Sequence, residues 1–148
     1  MEIRTWIVIA DGARARVLKN EGIGKGLEPV TDLVSATQHR PTRELGTDKP
    51  GRTFESASAA RHALEPRVDW HRFEKQRFAG DMAAMLNQHA RDKAFDRLVL
   101  VAPPEILGVL RAELDDATRK RITAELAKDL THEPVHGLPE RLRDVVNL

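Results

Sequence analysis

The sequence contains no cysteine and no tyrosine, and aromatic residues make up only 4% of its 148 positions. Without cysteine there are no disulfides, thiolate metal sites or cysteine nucleophiles. The chain therefore fits a reducing compartment. No apolar run approaches the roughly 18 residues of a membrane span. The opening Met1-Glu2-Ile3-Arg4-Thr5-Trp6 lacks the basic stretch and apolar core of an export signal. These absences predict a soluble, cytoplasmic domain with no membrane partner. An excess of one charge is missing too: 24 Lys and Arg stand against 23 Asp and Glu, a net of +1. With 41% hydrophobic and 32% charged residues, the composition is globular rather than disordered. The length suits one domain, which buries roughly 70% of its unfolded surface. No linker, internal repeat or low-complexity tract divides it.

Motifs of catalysis are also scarce. There is no phosphate-binding Gly-x-x-x-x-Gly-Lys-Ser/Thr loop. Gly22-x-Gly24-x-Gly26 has the wrong spacing for a dinucleotide fingerprint, and no helix follows it. Ser56 and Ser58 lie in no nucleophile elbow. Of the six histidines, His132 and His136 stand four apart and could share a helical face around a metal. Gly137 and Pro139 beside them and the lack of a third ligand argue against it. Asp11 ends an apolar run, where ribonuclease-H-like nucleases place a metal-binding aspartate. Asp115, Asp116 and Asp129 are the carboxylates available to join it, since two-metal chemistry needs several anions. The simpler reading makes Asp11 a turn residue before Gly12. No cofactor and no metal centre are expected, and an enzyme is the less favoured reading.

Apolar periodicity gives the elements. Trp6 to Ala10 is almost continuously apolar, as a central strand buried on both faces should be. Asp11-Gly12 supplies residues tolerant of positive φ for a tight hairpin turn. The returning arm, Ala13 to Leu18, alternates and should have one wetter face. A glycine-rich turn over 20–26 leads to a third strand from Leu27 to Ser35, which Pro29 pushes to an edge. The pattern then fails from Ala36 to about Pro66, a long loop with room for a short helix near Ala57 to Leu64. A long helix from Arg67 to Asp92 carries the stripe Phe78, Met82, Met85, Leu86 and His89. Arg97 to Ala102 is a strand. Pro104 opens a helix with Ile106, Leu107, Leu110 and Leu114 on one face. Arg119 to Leu130 fits either state, and strand–helix–strand connectivity favours a strand. Thr131 and Pro134 open a last helical region with Leu138, Leu142, Val145 and Val146 on its apolar side. The order is an α/β sandwich with a mixed sheet, an antiparallel N-terminal meander joined to parallel strands and flanked by helices.

The long loop is the most suggestive stretch for function. Arg40, Arg43, Lys49 and Arg52 outnumber Glu44 and Asp48. Lys49-Pro50-Gly51-Arg52 favours a turn that exposes both cations at a tip. Arg67, Arg72, Lys75 and Arg77 add charge at the start of the next helix. Exposed cations on a protruding loop suit phosphate contacts. No aromatic base-stacking platform is visible in the sequence.

These residues resemble a known family. Trp6-Ile7-Val8-Ile9-Ala10-Asp11-Gly12-Ala13-Arg14-Ala15-Arg16 is similar to the opening signature of the bacterial host attachment proteins. Thr47-Asp48-Lys49-Pro50-Gly51-Arg52-Thr53-Phe54-Glu55-Ser56 is similar to their central motif. Leu98 to Pro104, followed by Leu107-Gly108-x-Leu110-Arg111, is similar to a third, and Lys128-Asp129-Leu130-Thr131 to the last. That family in turn resembles the middle domain of archaeal and eukaryotic peptide-release factors. There an exposed loop bearing Gly-Gly-Gln enters the peptidyl-transferase centre. The fold this implies is a release-factor middle-domain, ribonuclease-H-like sandwich. The partner it implies is a ribosome or tRNA, not DNA, bound through Arg40, Arg43, Asp48, Lys49, Pro50, Gly51 and Arg52, with Arg72 and Lys75 in support. Here only Gly51 of the tripeptide remains and glutamine is absent from the tip. The resemblance therefore points to binding without release chemistry. A hydrolase acting on RNA or peptidyl-tRNA and a protein-interaction module with an indirect role in attachment are the alternatives. The oligomeric state is open.

Overall fold

A computed structural model of the chain describes residues 3–35, 66–146 and 148. Its centre is a five-stranded mixed sheet in the order β3-β2-β1-β4-β5. Strand β1 (Thr5–Ala10) is buried along its whole length. It runs antiparallel to β2 (Arg14–Asn20), with Ala10 opposite Ala15. It runs parallel to β4 (Arg97–Val101), with Ile9 opposite Val101. Strand β3 (Glu28–Val34) pairs antiparallel with β2, and β5 (Ile122–Leu126) parallel with β4. An unbroken apolar run goes to the middle because only there are both faces covered. Pro29 lies on an edge strand, where its missing N–H costs no ladder bond.

Helix α1 (Pro66–Arg91) and helix α2 (Pro104–Glu113) cover one face. Phe78, Ala79, Met82, Ala83 and Leu86 of α1 pack with Trp6, Val8, Val17, Leu98 and Leu100, and Ile106, Leu107 and Leu110 of α2 complete that layer. Inverse residues of the same strands, Ile7, Ile9, Leu18, Val99 and Val101, face the other way. They pack under Leu130, Leu138 and Leu142. Leu130 lies in the segment after β5, and Leu138 and Leu142 belong to a short helix, α4 (Leu138–Leu142), which a 3₁₀ turn (Val135–Gly137) precedes; a single helical turn, α3 (Asp116–Arg119), lies before β5.

Several expectations need correcting. The β1–β2 turn does not use positive φ: among the described residues only Gly22, Gly24, Gly26 and Lys93 adopt it. Instead the Asp11 carboxylate closes the turn by accepting from the N–H groups of Ala13 and Arg14, both at 2.7 Å. This is the Asx-turn chemistry of a short acidic side chain. Gly12 is needed for space, since a Cβ there would stand 2.6 Å from Cγ of Lys75. The wetter face of β2 is confined to Arg14 and Arg16, and Leu18 turns back into the core. Arg119 belongs to α3, not to the strand after it. Thr131 does not start a helix. Pro134 does cap the 3₁₀ turn that runs into α4, which carries a proline in its own first turn. Pro66 already lies in α1. The remainder of the long loop, including its proposed helix at 57–64, lies outside the described residues.

Candidate functional site

Strands β1 and β4 are neighbours, yet the chain leaves β1 in one direction, toward β2 and β3, and returns to build β4 and β5 in the other. Such a reversal opens a crevice beyond the carboxyl ends of the parallel strands. The structure has one there, of about 440 Å³. It is lined by the Asp11-Gly12 turn, by His71, Glu74 and Lys75 of α1, by Pro103, Glu105 and Ile106 at the start of α2, and by Asp129 after β5. Ser35, the last described residue before the long loop, also lines it, and its N–H donates to the Ala13 carbonyl at 2.7 Å.

One hydrogen-bonded knot organises the rim. The Thr131 hydroxyl lies 2.6 Å from Oδ1 of Asp129 and 3.2 Å from Oδ2 of Asp11. The Thr131 N–H also donates to Asp129, at 3.0 Å. The bond from the Thr131 hydroxyl holds the Asp129 carboxyl below its ordinary range, against the opposing effect of partial burial. Arg16 of β2 donates to the backbone carbonyl of Glu133 at 2.5 Å, fastening the same segment to the sheet. Oδ1 of Asp11 thus closes the hairpin, while Oδ2 shares the Thr131 hydroxyl, 120 positions away, with the nearer Asp129. That is the turn-residue role. Of the other carboxylates weighed for a metal, only Asp129 comes near. Asp115 is the N-cap of α3, accepting from the Thr118 hydroxyl at 2.7 Å and its N–H at 2.9 Å, and these bonds lower its pKa. Asp116 follows it into that helical turn. Among the described residues no group of three or more His, Asp or Glu is placed to hold a metal ion. His136 sits in the 3₁₀ turn and His132 precedes it, so they share no helical face.

The crevice is also acidic. Asp11, Glu74, Glu105 and Asp129 outnumber Lys75 on its walls. The basic surface lies just outside, on the first described turns of α1. There Trp70, His71, Arg72, Phe73, Lys75, Gln76 and Arg77 are all exposed. Two of the expected site residues, Arg72 and Lys75, are therefore on this surface, and the stem of Lys75 lies across Gly12. Arg40, Arg43, Asp48, Lys49, Pro50, Gly51 and Arg52 lie outside the described residues. Sequence reading missed the pairing of Trp70 with Phe73, whose rings stack at 6.1 Å. Their three-residue spacing opposite the buried stripe was the available signal.

Three of the four stretches that carry the family resemblance converge on this crevice: the Asp11 turn, the Pro103-Pro104 helix start and the Asp129-Leu130-Thr131 segment. A family described as "Protein required for attachment to host cells" matches residues 6–142. The chain belongs to that family. No curated protein matches it significantly. In this member of the host-attachment family, the matched region runs from the central strand through α4, so every described wall of the crevice falls within it. Among the described residues no helix is long and apolar enough to cross a membrane.

Proposed function

We propose that this host-attachment family domain is an RNA-binding module that engages a ribosome or tRNA, and that attachment depends on it indirectly. The observation that carries this reading is the cationic start of α1. Arg72, Lys75 and Arg77 are exposed there, beside the crevice on which three of the family's motifs converge. Phosphate contacts need exposed cations and no catalytic group. The acidic crevice walls repel phosphate, so the backbone is held at the crevice rim, where Lys75 is exposed, rather than inside it. The strand order, with an antiparallel meander on one side of β1 and parallel strands on the other, supports the release-factor middle-domain reading from which the RNA partner comes. A hydrolase led by Asp11 is less well supported, because its Oδ1 already closes the hairpin and no group of three or more acidic or histidine side chains forms around it among the described residues.

Cosedimentation with ribosomes, and filter binding of tRNA, test the proposal. Wild type should bind at low salt and lose affinity steeply as salt rises. Arg72→Ala combined with Lys75→Ala, and separately Lys49→Ala combined with Arg52→Ala, should each weaken binding. Binding indifferent to both pairs, or none at low salt, sinks the proposal.

A further inference from the structure

The buried stripe of α1 does not stop where the sheet ends; it changes chemistry. Phe78, Met82 and Leu86 pack on the strands. Continued toward the start of the helix at the same spacing, the stripe reads Lys75, Glu74 and His71. All three line the crevice beyond β1. Lys75 there lies against backbone. A Cβ on Gly12 would stand 2.6, 2.9 and 3.2 Å from Cγ, Cδ and Cε of Lys75, and these are its three nearest atoms. Three successive methylene groups thus run across the bare Cα of the turn. Gly12 has no positive φ that would call for glycine, so what this glycine supplies is the passage for the lysine stem.

The ammonium at the end of that stem is surrounded by carboxylates and paired with none. Asp11, Glu74, Glu105 and Asp129 line the same crevice. Lys75 is nevertheless exposed, and among the described residues no hydrogen bond or ion pair engages it. Lysine is a point charge on a flexible four-carbon stem, and ordering that stem opposes every contact it makes. A stem already laid along the turn has lost part of this freedom before a partner arrives, which favours binding. We infer that Gly12 is a positioning residue for RNA binding: the passage it leaves holds Lys75 with its ammonium unpaired at the crevice rim, where a backbone phosphate reaches it. A side chain at position 12 lifts the stem, and the crevice carboxylates are then the competing partners for the ammonium. Gly12 acts through Lys75, without a contact of its own. This rests on the RNA-binding reading above and adds to it how one of the phosphate contacts is set.

The test measures tRNA binding by the full chain over a range of salt concentrations. Each phosphate contact contributes roughly 0.7–0.9 to the slope of log affinity against log salt. Lys75→Ala should weaken binding and reduce the slope by about that amount. Gly12→Ala should move both in the same direction, at least half as far, whereas a merely loosened fold lowers affinity and leaves the slope alone. In a Lys75→Ala background Gly12→Ala should change affinity by less than about twofold, and in an Arg72→Ala background it should keep its full effect. Wild-type affinity or slope in Gly12→Ala, or an undiminished effect in the Lys75→Ala background, overturns the positioning role. Independently of any change at position 12, nuclear Overhauser contacts should join the Gly12 α-protons to the side-chain methylenes of Lys75 in the free wild-type chain, and their absence also overturns it. If Lys75→Ala binds like wild type while Arg72→Ala or Arg77→Ala weakens binding, the positioning role fails and the RNA-binding reading stands. A wild-type chain that binds no RNA overturns both.

Discussion

Asp11 and Gly12 show how one dipeptide can be recognised for a reason other than its actual one. Asp-Gly reads as a positive-φ turn, and the result is a hairpin in the expected place. Yet the turn is closed by the aspartate's oxygen, and the glycine is required by the approach of Lys75. Distinct consequences follow for the two residues. Asp11→Ala leaves two hairpin N–H groups and the Thr131 hydroxyl without that acceptor, and should cost about 1–3 kcal/mol in urea unfolding. Asp11→Asn, which keeps an acceptor for the turn, should cost clearly less, and equal losses would contradict this account. Gly12→Ala forces the Lys75 stem aside and should cost about 1 kcal/mol or more as overpacking. Adding Lys75→Ala removes the obstructing atoms, so the double variant should be more stable than the sum of the single effects predicts. Additive losses would place the strain elsewhere. Asp96, Asp115 and Asp129 all titrate below their usual range, through hydrogen bonds from Arg4, Thr118 and Thr131 respectively. A lowered folded-state pKa contributes stability above the unfolded value of about 4, and that stability is lost as pH falls through the folded value. The urea midpoint should therefore be flat near neutrality and drop below about pH 4. Thr131→Val should move the Asp129 carboxyl upward in an NMR titration, and an unchanged value would remove Thr131 as the cause.

At the scale of elements, α1 divides into two parts with different duties. Its later turns are core: Leu86 is fully buried between sheet and helix, so Leu86→Ala should cost about 2–5 kcal/mol. Its early turns are surface, and Arg77→Ala should leave thermal unfolding unchanged while weakening RNA binding. A destabilised Arg77→Ala would show instead that the surface helps hold the fold. The later turns were readable from sequence because buried positions repeat at helical spacing, and β1 and β4 were readable because burial on both faces leaves an apolar run, whereas the half-buried edge strand β5 followed only from strand–helix–strand connectivity. What escaped was local hydrogen-bond chemistry. The Asp115–Thr118 cap that creates α3 carries no periodic signal, and Asp115 looked like a loose carboxylate until its partner was in view. The Asp11–Thr131 contact escaped for a related reason: no pattern in a single sequence links residues separated by 120 positions. The candidate site was legible only in part. Charge at the start of α1 was visible, whereas the acidity of the neighbouring crevice depended on tertiary placement of Glu105 and Asp129.

Across the whole molecule, the two faces of the sheet are covered unequally. Two long helices cover one face, while a short helical segment held by Arg16 and the Thr131 knot covers the other. The chain contains two tryptophans and no tyrosine. Trp6 is buried against His89 and Phe95, with both ring distances at 5.0 Å, beneath the thicker layer, whereas Trp70 stands in water at the opposite end of α1. The protein consequently carries two built-in fluorophores of different colour, a blue-shifted one that reports on integrity of the core and a red-shifted one on the exposed helix. Unfolding and surface occupancy can then be followed separately, on one unlabelled sample, by emission wavelength alone.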